Sequence, residues 1–245
     1  MSATIASTTS VAVRDLVFAY PHQAPVLRSV SFSLHAGERV ALLGPTGTGK
    51  TTLLEHLIGW RHPQAGEIWL GELPVTERTL PQVRRRVGFV FQDPRDQLFM
   101  PTVMEDAIFG PCNYGMPREL AAIKARDLLA TFGLEHCCDR SVHQLSGGQK
   151  RLAAIASILA MEPSILILDE PTAGLDPLAR RHLAEILCQI PIQVMLIASH
   201  DLPWIRRVTH RALVLEGGQI QADCSTQSLM ADGERLASFG LPLDY

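Results

Sequence analysis

One eight-residue stretch narrows the folds open to this chain: Gly44-Pro45-Thr46-Gly47-Thr48-Gly49-Lys50-Thr51. It fits G-x-x-x-x-G-K-[ST], with Gly44, Gly49, Lys50 and Thr51 at the fixed positions. Arg39–Leu43 before it is short, apolar and strand-like. Thr52–Ile58 after it carries apolar residues at helical spacing and stops at Gly59. Strand, glycine loop and helix are the setting this motif needs. Glycines let the backbone curl until successive N–H groups point at phosphate oxygens. The helix behind adds free N–H groups and the positive end of its dipole. Lys50 supplies a point charge for β- and γ-phosphates, and the Thr51 hydroxyl is a hard oxygen ligand for Mg²⁺.

The 245 residues suffice for one large or two small domains with a real core. At 47% hydrophobic and 19% charged, the balance is that of a globular protein. A net charge of −3 argues against a broad nucleic-acid-binding face, so no nucleic-acid partner is expected. No apolar run approaches the roughly 18 residues that span a bilayer. The best runs, Ile165–Leu168 and Val194–Ala198, have the length of buried strands. Met1–Ser10 has neither the basic nor the apolar region of a leader and reads as a short disordered lead. The chain is therefore expected to be neither integral to a membrane nor exported. Cys112, Cys137, Cys138, Cys188 and Cys224 form no regular framework and read as reduced cytosolic thiols. His136-Cys137-Cys138 lacks C-x₂-C spacing and a second cluster, so no metal site is expected there.

In chain order, Val11–Phe18 and Val26–Leu34 read as strands, the second with Val30, Phe32 and Leu34 on one face. Tyr20 ends the first. It is either a platform for a purine ring or a half-buried strand-end tyrosine. Gln64–Glu72 reads as turn, strand, turn, and Arg84-Arg85-Arg86 as a solvated helix end. Val87–Phe91 is a buried strand closing at Gln92, a polar residue at the strand end where ligands bind in open α/β sheets. Asp93–Pro101 is turn-rich with exposed-looking apolar residues. Asp93 to Gln144 reads as a mostly helical insert, in which Arg118–Thr131 carries Leu120, Ile123, Ala125, Leu128 and Leu129 at helical offsets. Ser146-Gly147-Gly148 leads into a helix, Gln149–Met161, and is either a second anion-ready terminus or a serine N-cap with flexible glycines. Ile165–Leu168 ends in Asp169-Glu170. Asp169 fits the acid that holds Mg²⁺ through its water shell, and Glu170 is free to orient or deprotonate a water. Ala173–Pro177 turns into helix Leu178–Gln189. Val194–Ser199 ends at His200, a third polar group at a strand end and a candidate γ-phosphate contact. A hairpin over 212–222 and one short helix close the chain.

Leu145-Ser146-Gly147-Gly148-Gln149, lying between the glycine loop and the acidic strand, resembles the signature motif of the ATP-binding-cassette (ABC) ATPases. No Asn-Lys-x-Asp motif for reading guanine is present. The resemblance runs over nearly the whole chain. It implies an α/β fold: a RecA-like P-loop NTPase core with an antiparallel β subdomain and a helical subdomain, in one domain over 1–245. Residues 1–92 and 161–245 would form the core with its β subdomain, and 93–160 the helical subdomain with the signature helix. It also implies ATP as substrate, Mg²⁺ as cofactor and a role for each motif position. Tyr20 would stack on adenine. Gly44, Pro45, Thr46, Gly47, Thr48, Gly49, Lys50, Thr51 and Thr52 would wrap the phosphates. Thr51, Gln92 and Asp169 would serve Mg²⁺, Gln92 also touching the attacking water. Glu170 would be the general base and His200 the γ-phosphate sensor. Ser146, Gly147, Gly148 and Gln149 would close on the nucleotide of a second subunit, with Asp176 at the seam of a head-to-tail dimer.

Phe91-Gln92-Asp93-Pro94-Arg95-Asp96-Gln97-Leu98-Phe99, with Pro101-Thr102-Val103 and Glu105-Asp106-Ala107-Ile108-Phe109-Gly110-Pro111, is similar to the ATPases of energy-coupling-factor (ECF) importers. Their cobalt/nickel branch is the most similar. That resemblance implies an ATPase dimer, homomeric or with a related ATPase, held at the cytoplasmic face of the cell membrane as a peripheral subunit. Its partners would be an integral-membrane coupling subunit and a metal-binding membrane subunit. Cobalt is the expected cargo; nickel, biotin or another vitamin are the alternatives of the same type. The rival of another class is a soluble ABC ATPase without a membrane partner, and a third reading is an interaction scaffold with a dead site.

Overall fold

The computed structural model describes residues 9–241. Its elements are, in chain order, β1 Thr9–Phe18, β2 Leu27–His35, β3 Arg39–Leu43, α1 Lys50–Leu57, β4 Ala65–Leu70, β5 Leu73–Pro74, α2 Leu80–Arg86, β6 Val87–Val90, α3 Val103–Asn113, α4 Arg118–Thr131, α5 Gly147–Leu159, β7 Ile165–Asp169, α6 Pro177–Gln189, β8 Val194–Ala198, α7 Leu202–Val208, β9 Arg211–Glu216, β10 Gln219–Ser225, α8 Thr226–Ala231 and α9 Gly233–Ser238. The disordered lead expected over Met1–Ser10 lies outside the described residues except for Thr9 and Ser10, whose backbone opens β1. The chain packs as two units. One takes the described residues up to Arg84 and from Ile192 onward, the other Arg85–Pro191.

The first unit is built on two sheets. In the antiparallel one, ordered β2-β1-β4-β5, Val11, Val13 and Leu16 of β1 pair with Leu34, Phe32 and Val30 of β2, all buried. The alternation slips at Asp15, which adopts φ 48°. Its carboxylate accepts the Ser29 hydroxyl at 2.9 Å and its N–H donates to Ser31 Oγ at 2.8 Å, so the bulge is held by its own polar groups. In the second sheet β3 lies parallel to both β8 and β9, and β9 continues antiparallel into β10. Val40 to Leu43 are fully buried, which is why this strand reads as an unbroken apolar run. Arg211 opens β9 and ties the two sheets together. Its guanidinium donates to both Asp223 oxygens at 2.7 and 2.6 Å, to Glu38 at 2.9 and 3.0 Å and to the Ser33 carbonyl at 2.9 Å. The described residues close with two short helices, not one. Asp232 separates them and caps α9 by accepting from Arg235 N at 2.9 Å.

In the second unit β6 and β7 run parallel, from Val87 opposite Ile165 to Val90 opposite Leu168. Three helices, α3 to α5, follow the insert expected after Asp93. α5 begins at Gly147, two residues earlier than the apolar pattern suggested, because Ser146 and Gln149 form a reciprocal capping box. Two further expectations are corrected. On α4 the buried face is Ala121, Ala125 and Leu129, while Leu120 and Ile123 are 45% and 60% exposed. Alanine at the contact positions brings α4 close to its neighbours and turns the two larger side chains outward. In the turn-rich stretch Leu98 is buried and only Phe99, at 64%, stands well out.

Candidate functional site

The predicted residues fall into two groups, one in each unit. In the first, β3 runs straight into the glycine loop. Gly44 has φ 148°, and a Cβ there would lie 2.2 Å from the Leu215 carbonyl oxygen of β9, so the loop leaves the sheet only with glycine at this point. Gly49 precedes α1 at φ 99°. Lys50 is 7% exposed, and its Nζ donates to the carbonyls of Gly44 at 2.7 Å and Pro45 at 2.9 Å. The Thr48 hydroxyl donates to the same Pro45 oxygen at 2.9 Å. The loop is thus stapled around its lysine, leaving Thr46 and Gly47 at an exposed tip. Thr51, in the first turn of α1, is exposed. Ala198 of β8 pairs with Leu42 of β3, so His200 leaves the same edge of the sheet as the loop.

Thr52 is buried and its hydroxyl lies 3.0 Å from the Tyr20 hydroxyl, tying the strand-end tyrosine to the N-terminal turn of α1. Tyr20 is half-buried, as the plainer of its two readings has it, and it stands beside the loop, as the other requires. One turn further on, His56 is fully buried against Phe18, their rings edge to face at 4.7 Å. Its Nδ1 donates to the Thr52 carbonyl at 2.7 Å. Burial holds its pKa below the usual histidine range, so it packs as a neutral ring.

In the second unit Val90 pairs with Leu168, so Gln92 and Asp169-Glu170 leave one edge of the β6–β7 pair. Asp169 and Glu170 are 2% and 6% exposed. Glu170 adopts φ 48°, a left-handed backbone that costs a non-glycine residue about 1–3 kcal/mol and is kept mainly where function fixes it. Gln92 is exposed, and its backbone is clamped: buried Arg151 of α5 donates to the carbonyls of Gln92 and, at 2.8 Å, Phe91. Burial lowers the Arg151 pKa, opposed by the charges of Asp93, Asp169 and Glu170. Gln97 adds a second pin, donating to the Ala154 carbonyl of α5 at 2.6 Å. Asp106 of α3 is buried and accepts the N–H groups of Phe99 at 3.1 Å and Met100 at 3.2 Å. Burial pushes its carboxyl above the usual aspartate value.

Ser146 realises the plainer of its two readings. Its Oγ caps α5 by accepting from Gln149 N at 3.2 Å, and Gln149 Oε1 accepts the Ser146 N–H at 3.0 Å. An accepting hydroxyl still has its own proton to give, so the cap and an anion contact are compatible. Gly147 is exposed and Gly148 half-buried. Asp176 caps α6, accepting from Ala179 N at 2.9 Å. Cys137 and Cys138 are both buried, and burial raises the Cys138 pKa. Sequence reasoning missed Gln97 and Asp106, and it missed Arg151. Its signal was a charged side chain four residues before Ile155, on the apolar stripe of α5. Mg²⁺ takes hard oxygen ligands, and the exposed Thr51 hydroxyl of the first unit and the Asp169 carboxylate of the second are each donors of the kind this ion takes.

A glycine loop of G-x-x-x-x-G-K-[ST] pattern on a buried parallel strand, with a second strand ending in two acids, defines a P-loop nucleoside triphosphatase. Residues 27–173 match the family model described as ABC transporter. A putative ABC transporter ATP-binding protein of Geobacter sulfurreducens is 46% identical over 228 residues, covering 93% of this chain and 91% of that protein. The energy-coupling factor transporter ATP-binding protein EcfA of Methanothermobacter thermautotrophicus is 41% identical over 238 residues, 95% of this chain and 76% of that one. Among solved structures, cbiO1 from Clostridium perfringens, part of the ABC transporter complex cbiONQ, superposes with a TM-score of 0.81 at 32% identity and 96% coverage of each chain. The chain belongs to the ABC transporter family, and within it to the ATP-hydrolysing subunits of energy-coupling-factor type.

Proposed function

We propose that this chain energises an importer of transition-metal ions, with cobalt as the cargo. The likeness of residues 91–111 to the cobalt/nickel branch of these ATPases supports that branch, and cobalt is chosen over nickel on overall likeness alone. In this reading ATP lies with adenine on Tyr20 and its phosphates in the 44–52 loop, where Lys50 exchanges the Gly44 and Pro45 carbonyls for β- and γ-oxygens. Thr51, Gln92 and Asp169 would hold Mg²⁺, which when bound spreads the charge that develops on the phosphoryl oxygens. Glu170 takes a proton from the attacking water, the Gln92 side chain orients that water, and His200 contacts the γ-phosphate. Ser146 to Gln149 and Asp176 of a second copy, or of a related ATPase, complete each site. Because ATP favours the closed pair, binding shifts the population and hydrolysis resets it.

The chain would act as a peripheral subunit at the cytoplasmic face of the cell membrane. The helical subdomain (93–160) would pass closure to the membrane coupling subunit through the surface near Asp93–Met100. Exposed Phe99, edge to face with Phe109 at 4.8 Å and anchored by Asp106, supports that surface as the contact.

Two measurements test the reading. Glu170→Gln should keep ATP affinity while turnover drops about 10²- to 10⁴-fold, the size of a lost general base; near-normal turnover would remove Glu170 from that role. Cells carrying the full transporter should accumulate labelled cobalt with this chain intact and lose uptake with Lys50→Ala. Uptake of nickel alone, or of neither ion, overturns the choice of cargo.

A further inference from the structure

Tyr20 is gripped from three directions. Phe18 meets its ring edge-on, centroids 5.1 Å apart and planes at 82°. Its hydroxyl is tied to Thr52 at 3.0 Å. The Arg61 guanidinium lies over one ring face, Cζ 4.8 Å from the centroid, and also reaches the Phe18 ring at 5.7 Å. Arg61 is itself held by an ion pair through its Nε to the Glu55 carboxylate on α1, with side-chain exposures of 33% and 15%. Among the described residues, no second cation lies over the Tyr20 ring. The tether places the phenol hydroxyl against the first turn of α1, at the phosphate end of the helix. Arg61 comes from beyond the C-terminal end of α1, away from the phosphate loop.

We propose that Arg61 is a positioning residue for the nucleobase: it backs Tyr20 so that the opposite face becomes a fixed, electron-depleted platform on which an electron-rich purine stacks. This rests on the reading of Tyr20 as the base platform. A guanidinium draws on the π density of the ring it covers. An electron-poor ring face then meets a purine with less repulsion. The clamp also removes the freedom of a half-buried strand-end tyrosine before the base arrives, so less ordering remains to be done on binding. Glu55 fixes the guanidinium plane, which lysine, a point charge on a flexible stem, would not reproduce.

The test compares ligands with and without a base. Dissociation constants are measured for ATP, for the fluorescent base analogue 1,N⁶-etheno-ATP, and for inorganic triphosphate, on wild type, Arg61→Met, Arg61→Lys and Tyr20→Ala. Arg61→Met should weaken ATP roughly two- to fivefold, the range of an exposed cation–π contact, and leave triphosphate unchanged. It should also reduce quenching of the etheno base. Arg61→Lys, the variant to use should the methionine form fold poorly, should show a partial loss. In a Tyr20→Ala background the Arg61 effect should vanish. Tighter ATP binding by Arg61→Met would mean that the guanidinium occupies the base's own face, and equal loss for ATP and triphosphate would mean a role in folding alone; either overturns the proposal. Unchanged ATP affinity overturns the proposal alone, whereas a wild type that binds no ATP overturns the reading on which it rests.

Discussion

At the scale of single residues, the glycine loop is supported by groups that take no part in chemistry. His56 is the plainest. It sits at no exposed surface, and its Nδ1 hydrogen bond to the Thr52 carbonyl joins the second turn of α1 to the first. Its pKa is lowered in the fold, so the folded chain takes up a proton less readily than the unfolded one. The stability it contributes is present above the unfolded value of about 6.5 and is lost as pH falls below it. Thermal melts between pH 8 and 5 should therefore show a steeper acid loss for wild type than for His56→Gln, which keeps a donor but does not titrate. Parallel curves would sink that account. Sequence gave no sign of this, because an apolar environment around one histidine is a property of packing, not of spacing.

At the scale of elements, α4 and α5 show where an apolar pattern informs and where it misleads. On α4 the apolar spacing found Ala125 and Leu129 of the buried face but also took in Leu120 and Ile123, which point outward, and passed over Ala121. Ala125→Leu should overpack that seam and lower stability by about 1–3 kcal/mol, whereas Ile123→Lys on the outer face should stay within about 0.5 kcal/mol. Chemical denaturation of the two variants separates the faces; a tolerated Ala125→Leu with a disruptive Ile123→Lys reverses the assignment. The start of α5 was legible in its residue types but not its position, because the Ser146–Gln149 capping box, not the first apolar residue, sets it. Ser146→Ala should cost about 1 kcal/mol through the cap alone. A larger fall in turnover than stability accounts for would reveal the second, ligand-facing role.

At the scale of the whole molecule, the class of protein was legible because several distant motifs each demand a defined local setting. The glycine loop needs a buried strand and a helix, and β3 and α1 supply them. The two acids need a strand end, and β7 supplies it. The bracing around these motifs was not legible. Arg151 showed itself only as a charge on the apolar stripe of α5, and Gln97 and Asp106 not at all, because all three act on backbone groups, which leave no mark on residue identity. The proposed head-to-tail pairing has a direct test. Glu170→Gln with ATP and Mg²⁺ should scatter light as twice the mass of the chain alone, and dilution into ADP should return it to single mass. A particle that stays at single mass throughout contradicts a shared site.

The two carbonyl oxygens that hold the Lys50 ammonium already give the loop an internal cation for its own dipoles. A lysine in that position is a placeholder as well as a ligand, and its removal leaves inward-turned carbonyls facing one another. Lys50→Ala should therefore melt at a lower temperature than wild type even in nucleotide-free buffer, and inorganic cations should not restore it as well as the tethered amine does. In the proposed function, phosphate entry would trade existing bonds for new ones. The affinity lost with Lys50 then measures the difference between two sets of partners, not the strength of one.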